Sequence, residues 1–177
     1  MKLLLLYASR HGTVREIADE IVRILNWPAH YHDLQNSTEP LPDIDDYDAV
    51  IIGCSVHDGH IQTEVRDYLV SHCRSDRSNV RALYCCALKG AESTRQVLRT
   101  DIPADILETF AIAEPFGGQI YKQKLSFLER RILKQISFEE SQLITLNDVK
   151  VRKFAITFQQ AYLEFTRKRE YEERHRD

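Results

Sequence analysis

Leu3–Leu6, Tyr7 and Ala8 form a short apolar run, which ends in a polar loop, Ser9–Arg10–His11–Gly12–Thr13, with a single glycine. An amphipathic helix follows at once. A continuously apolar run is the mark of a strand buried on both faces, and such a strand exists only in a sheet covered by helices above and below. A buried strand, a polar loop and a helix N-terminus in that order also make an anion site. The loop offers backbone N–H groups and hydroxyls, and the helix dipole adds about half a positive charge. The expectation is a phosphate cradled by Ser9–Thr13. The alternative is an ordinary strand-to-helix turn in which Ser9 or His11 caps the helix.

The rest of the chain repeats the alternation. Residues 2–8 read as a strand. Residues 13–26 read as a helix, because Val14, Ile17, Ala18, Ile21, Ile24 and Leu25 recur at helical spacing, with Arg15, Glu16, Asp19, Glu20 and Arg23 between them. Trp27–Pro28 stops it. Residues 29–34 form a weak second strand. Residues 36–46 carry Pro40 and Pro42 and read as a loop. Tyr47–Cys54 is a strong central strand, followed by a polar loop at Ser55–His60 and a helix at 61–73. Residues 80–88 are another buried strand with a polar loop at 89–93. A short helix at 94–99 breaks before Pro103, and residues 106–113 are the expected last strand. Helices are expected at 122–137 and 143–165, with a charged tail at 167–177.

Alternating strands and helices imply a parallel sheet with helices on both sides, whose ligands bind beyond the carboxyl ends of the strands. The loops after the strands at 2–8, 47–54 and 80–88 are predicted to meet there. The 177 residues suit one domain. A net charge of −3 argues against general nucleic-acid binding. The N-terminal apolar run is shorter than the about 7–15 residues of a signal-peptide core and lacks a cleavage site. No apolar run reaches the about 18 residues of a membrane span. Cys54, Cys73, Cys85 and Cys86 lack zinc spacing and read as buried, reduced thiols of a cytosolic protein. Cys85 and Cys86 are adjacent on a strand, so they point to opposite faces and are not expected to form a disulfide.

No G-x-G-x-x-G follows the first strand and no G-x-x-x-x-G-K-[ST] is present, which removes the dinucleotide and P-loop readings. The string Tyr7–Thr13 resembles the phosphate loop of the flavodoxin superfamily. Ile52–His60 resembles the loop that borders the flavin ring in that superfamily. Within it, the menaquinone-dependent protoporphyrinogen oxidases resemble this chain in three features. These are S-R-x-G-x-x-R-E-I at Ser9–Ile17, I-G-x-S-[IV]-x-x-G-H at Ile52–His60, and a basic, aromatic-containing insertion at Pro115–Ser137. The chain departs from the pattern at Val14, where a threonine is common, at His11, where an acid is common, and at Asp58, where an aromatic is expected. The third loop, from Lys89 to Asp105, is short.

The resemblance implies a flavodoxin-like three-layer α/β sandwich with a five-stranded parallel sheet, order 2-1-3-4-5, and a long helical insertion after the fifth strand. It implies FMN as cofactor, oxidation of a porphyrinogen substrate (protoporphyrinogen IX), and a membrane quinone as acceptor. Ser9, Arg10, His11, Gly12, Thr13 and Val14 are the expected phosphate set. Ser55, Val56, His57, Asp58 and Gly59 would border the ring, and Cys86, Ala87, Leu88 and Lys89 would flank its other side. Read as local structure, Ser55 or Asp58 would instead cap the helix at 61–73. His57 and His60 read first as exposed or capping histidines, with a proton relay as the alternative. No catalytic base or metal ligand is identified.

In 122–137, Lys122, Lys124, Arg130, Arg131 and Lys134 oppose the single Glu129, beside an apolar stripe of Leu125, Leu128, Ile132 and Ile136. The stripe reads as a core face, and the basic residues read either as a merely solvated face or as a patch for anionic lipid or porphyrin propionates. The expected location is cytoplasmic, peripheral on the inner face of the cell membrane. The tail balances its charges and carries no functional reading. The rival readings are a flavodoxin-type electron shuttle or quinone reductase, and a flavin-free binding domain on the same fold. The sequence is silent on oligomeric state.

Overall fold

The computed structural model describes residues 1–73, 78–87, 90–117 and 148–175. The strands are β1 (Leu3–Tyr7), β2 (Ala29–Asp33), β3 (Ala49–His57), β4 (His60–Ile61), β5 (Val80–Ala87) and β6 (Ile112–Gly117). The helices are α1 (Thr13–Leu25), α2 (Thr63–His72), α3 (Ala91–Asp101), α4 (Ala104–Leu107) and α5 (Asp148–Arg174). A 3-10 turn spans Ile44–Asp46.

The sheet runs β2-β1-β3-β5-β6 with every pair parallel. This is the expected 2-1-3-4-5 order. The two-residue β4 lies off that path, antiparallel to the end of β3. The strand β1 has β2 on one side and β3 on the other, so the β1/β3 boundary is where the winding direction changes and a crevice opens.

Alternation along the strands divides the core in two. Leu3, Leu5, Ile51, Tyr84 and Phe116 pack under α1 and α5 with Ile17, Ile21, Phe154 and Phe158. Leu4, Leu6, Val50, Ile52 and Leu83 pack on the other face with Val65 and Leu69 of α2, Leu98 of α3 and Ile106 of α4. All four cysteines are free and buried. Cys86 belongs to the first cluster and Cys85 to the second, on opposite faces.

The structure corrects several expected boundaries. Residues 106–113 are not the last strand. Ile106 and Phe110 are both buried, four residues apart, in a helical turn and its exit. The ladder begins only when the Ala111 N–H donates to the Arg81 carbonyl at 2.8 Å, and β6 follows from Ile112. The helix α3 is longer than 94–99. The charged tail extends the preceding helix, as its sequence suggests, because α5 runs on to Arg174. Its exposed end carries i,i+4 pairs: Lys168–Glu172 at 3.9 Å, Arg169–Glu173 at 3.1 Å and Glu170–Arg174 at 3.5 Å. The predicted helix at 122–137 lies outside the described residues. Among the described residues, no helix is long and apolar enough to cross a membrane.

Candidate functional site

The loop leaving β1 comes first. The last ladder bond here is Ala8 N–H to the Gly53 carbonyl, 3.2 Å. The chain then folds on itself, with Gly12 N–H donating to Ser9 Oγ at 3.0 Å. Gly12 has φ 90°, a left-handed conformation that a side chain resists, and it is the N-cap of α1. No side chain caps the helix, so neither Ser9 nor His11 takes the capping role. The first intrahelical bond runs from Glu16 N–H to the Gly12 carbonyl at 3.0 Å. The N–H groups of Thr13, Val14 and Arg15 therefore lie in the first turn, before the intrahelical bonds begin. Arg10 is exposed and His11 half-buried at the mouth.

This turn is held from below. The Tyr84 hydroxyl donates to the Val14 carbonyl at 2.6 Å, reaching from β5 to α1. It passes beside Gly53, where a Cβ would lie 2.3 Å from both Cζ and Oη of the ring. Gly53 is therefore required for that approach. Burial pushes the Tyr84 hydroxyl well above its usual range, so it remains a donor. The Val14 side chain lies in the core at 2% exposure, and only its backbone borders the loop. Arg15 turns along the flank of α1. It donates to the Tyr7 hydroxyl at 2.8 Å and to Asp19 at 3.0 Å, and its guanidinium stacks 4.2 Å from the Tyr31 ring. Burial, with Asp19 nearby, pushes the Tyr31 hydroxyl up to about 12.

The segment leaving β3 differs from the expected loop. The strand continues to His57 and turns through Asp58, φ 50°, and Gly59, φ 87°, into β4, pairing His57 with His60 and Val56 with Ile61. Two residues at positive φ between paired strands make a tight hairpin of the type that Asp-Gly favours. Asp58 thus occupies its position as a turn residue. The helix α2 starts later, with Gln62 as N-cap and no side-chain cap, so neither Ser55 nor Asp58 caps it.

Two side chains from outside the hairpin fix its base. Asp101, at the end of α3 and with its side chain only 5% exposed, accepts Ile61 N–H at 2.8 Å and bonds His60 Nδ1 at 2.9 Å. Gln62 accepts Ser55 N–H at 2.6 Å through Oε1 and donates through Nε2 to the Ala8 carbonyl at 2.9 Å. His57 faces the first loop instead. Its Nε2 lies 3.1 Å from Ser55 Oγ, and its ring meets His11 edge-on with centroids 6.1 Å apart.

At the third exit, Cys86 and Ala87 end β5 with buried side chains. Burial pushes the Cys86 thiol well above its usual range, and a bond with Cys54 together with burial does the same for Cys85. Both stay thiols. Leu88 and Lys89 lie outside the described residues, as do Lys122, Lys124, Arg130, Arg131 and Lys134.

The structure therefore brings Ser9–Val14 and Ser55–Gly59 to one edge of the sheet, at the switch point. The first loop presents hydroxyl and N–H donors, a helix N-terminus and two basic side chains, with no carboxylate from Ser9 to Arg15. That donor set suits a phosphate. Sequence reasoning missed Gln62, Asp101 and the hairpin. The Asp58–Gly59 pair between short apolar–polar stretches carries the hairpin signal. Gln62 and Asp101 act across chain separations of 54 and 40 residues, so no local pattern marks them.

A flavodoxin domain family matches residues 4–142. No curated protein matches the chain. Solved structures with the same fold include oxidised Flavodoxin 1 from Bacillus cereus, 16% identical with TM-score 0.51 over 90% of this chain and 98% of that one. A WrbA-like flavodoxin from Agrobacterium tumefaciens is 11% identical, with TM-score 0.53 over 90% and 98%. A short-chain flavodoxin associated with a bacterial microcompartment is 12% identical, with TM-score 0.57 over 92% and 99%.

Proposed function

We propose that this chain, which belongs to the flavodoxin domain family, binds FMN in the β1/β3 crevice and works as a flavin-dependent oxidoreductase. The observation that carries the reading is the first loop. Gly12 in the left-handed region at the N-terminus of α1 and a carboxylate-free donor set fit a phosphate dianion. Ser9 and Thr13 would supply hydroxyls, Val14 and Arg15 backbone N–H groups, and Arg10 and His11 positive or polar cover. Ser55–Gly59 would border the ring on one side and the β5 exit, Cys86–Lys89, on the other.

Bound FMN supplies the redox chemistry, taking up hydride or electrons from one partner and passing them to another. The protein's part is orientation, exclusion of water and hydrogen bonding at the crevice edge. His57, tied to Ser55, is the titratable group of the β3 exit on the side of the first loop.

The specific reaction rests on the motif resemblance. The Ser9–Ile17 and Ile52–His60 strings support oxidation of protoporphyrinogen IX with a membrane quinone as acceptor. The basic set Lys122, Lys124, Arg130, Arg131 and Lys134 would then meet anionic lipid or porphyrin propionates. The second reading is an electron shuttle without porphyrin activity, favoured by the likeness in fold to flavodoxins whose chains are matched over 98–99% of their length.

The deciding measurement is the visible spectrum of the purified chain, before and after FMN is added, together with quenching of FMN fluorescence. Flavin bands and quenching are expected. A colourless protein that leaves FMN fluorescence unchanged overturns the reading. Anaerobic reduction of the loaded protein by protoporphyrinogen and reoxidation by menadione then separates the oxidase from the shuttle.

A further inference from the structure

In a parallel ladder, a residue that donates to one strand's neighbour also accepts from the residue two further on. Ala8 follows this rule for its first half only. Its N–H donates to Gly53, so its carbonyl is in position for the N–H of Ser55. That bond is not the one made. The Ser55 N–H goes to Gln62 Oε1, and the Ala8 carbonyl receives Gln62 Nε2. The Gln62 carboxamide stands between the strands like an inserted peptide group, with its acceptor toward β3 and its donor toward β1. Both backbone groups stay satisfied while the strands part by the width of an amide. The parting lies at the β1/β3 switch point, directly below Ser9 and between the two loops assigned to the ligand.

We propose that Gln62 is the spacer that holds this crevice open, a positioning residue for the ring portion of the bound mononucleotide. The inference rests on the reading of the crevice as a flavin site. The side chain suits the task because it carries one donor and one acceptor on a planar group of peptide geometry. An apolar residue leaves two backbone groups unpaired or lets the ladder close. The first loop owes its shape to Gly12 and Tyr84, so loss of the spacer leaves the phosphate cradle in place and acts on the ring side.

The test uses the full chain with FMN and with riboflavin, which has the ring and no phosphate. Gln62→Leu is expected to weaken both by about tenfold, the factor that goes with losing a bridging pair of hydrogen bonds. The Ser55 amide, protected in the ligand-free wild type, should exchange faster with deuterium in the variant. Gln62→Glu is the second variant. Its carboxylate accepts from Ser55 but cannot donate to the Ala8 carbonyl. Riboflavin binding by Gln62→Glu is therefore weak near about pH 8 and recovers toward about pH 4 as the carboxyl gains a proton. A residue that merely supports the fold gives no such recovery.

Equal riboflavin and FMN affinity in wild type and Gln62→Leu overturns the spacer role and leaves the flavin reading intact. A wild-type protein that binds neither flavin overturns the flavin reading and the positioning role with it.

Discussion

The exits of β1 and β3 lie side by side at one edge of the sheet and are built in opposite ways. The β1 exit is shaped from within its own stretch. Ser9 bonds Gly12, Gly12 takes the left-handed conformation, and α1 starts one residue later. The β3 exit is an exposed two-residue hairpin whose base is held by Asp101 from α3 and Gln62 from the start of α2. The first design is held by short-range geometry and a buried tyrosine, which suits the phosphate proposed for it. The second, proposed to border the flavin ring, has its position set by distant elements, so the surrounding fold can tune it.

Breaking the support beneath the β1 exit gives the largest effect. Gly53→Ala places a methyl group 2.3 Å from the Tyr84 ring, which is packed in the core against Phe116 and Phe154. Overpacking and the lost bond to Val14 together cost about 3 kcal/mol. The melting temperature should fall by about 6–12 °C, as read by calorimetry. A variant that melts like the wild type would show that Tyr84 does not pin α1.

Gly12→Ala comes next. It forces a side chain into the left-handed region at a cost of about 1–2 kcal/mol. FMN titration should show a clear loss of affinity while riboflavin binding stays near wild type. Equal losses for the two ligands would mean that the loop does not serve the phosphate.

Asp101→Ala tests the opposite wall. Removing the carboxylate leaves Ile61 N–H without its acceptor and His60 without its partner, for about 1 kcal/mol. Deuterium exchange should quicken at residues 58–61 and not at 9–13. Asp101→Asn keeps an acceptor for Ile61 and should restore most of the protection. If exchange rises in both loops, the exits are not independently supported.

The smallest effect at neutral pH belongs to His32 on β2, outside both exits. It is 3% exposed and its Nδ1 has no hydrogen-bond partner among the described residues. Burial lowers its pKa, against Glu39 and Asp33, which raise it, and with His30, which lowers it further. The unfolded state therefore binds a proton that the folded state resists. His32 has no effect well above its unfolded pKa of about 6.5, and stability falls as the pH drops below that value, levelling off below the folded pKa. Denaturant melts of His32→Leu and wild type should converge in pH dependence at neutral pH and diverge in acid. Parallel curves would exclude this histidine as a source of acid sensitivity.

The alternation of apolar runs and amphipathic helices specified the layers and the parallel sheet, because burial on two faces leaves few other arrangements, while the strand order came from the resemblance of Tyr7–Thr13 and Ile52–His60 to flavodoxin loops. The turn at Ser9–Thr13 was legible for the same kind of reason. One glycine between a buried strand and a helix determines both the turn and where the N–H groups point. Asp58–Gly59 was legible in principle, and its hairpin was missed because the polar stretch was read as a loop. The last strand was misplaced because Ile106 and Phe110 are apolar at a spacing that suits a buried helical turn as well as a strand.

What only the tertiary structure decided is the floor and the ring-side wall of the site. Gly53 looks like a strand terminus until Tyr84 is seen crossing it from β5 to reach Val14. Gln62 looks like a surface residue before a helix until its amide is found between Ala8 and Ser55. Both depend on backbone groups that come together only when separate strands are aligned. Such pairings carry no local periodicity, so the sequence determined the turn at the β1 exit, and the assembled sheet determined how the backbones of β1 and β3 are joined beside it.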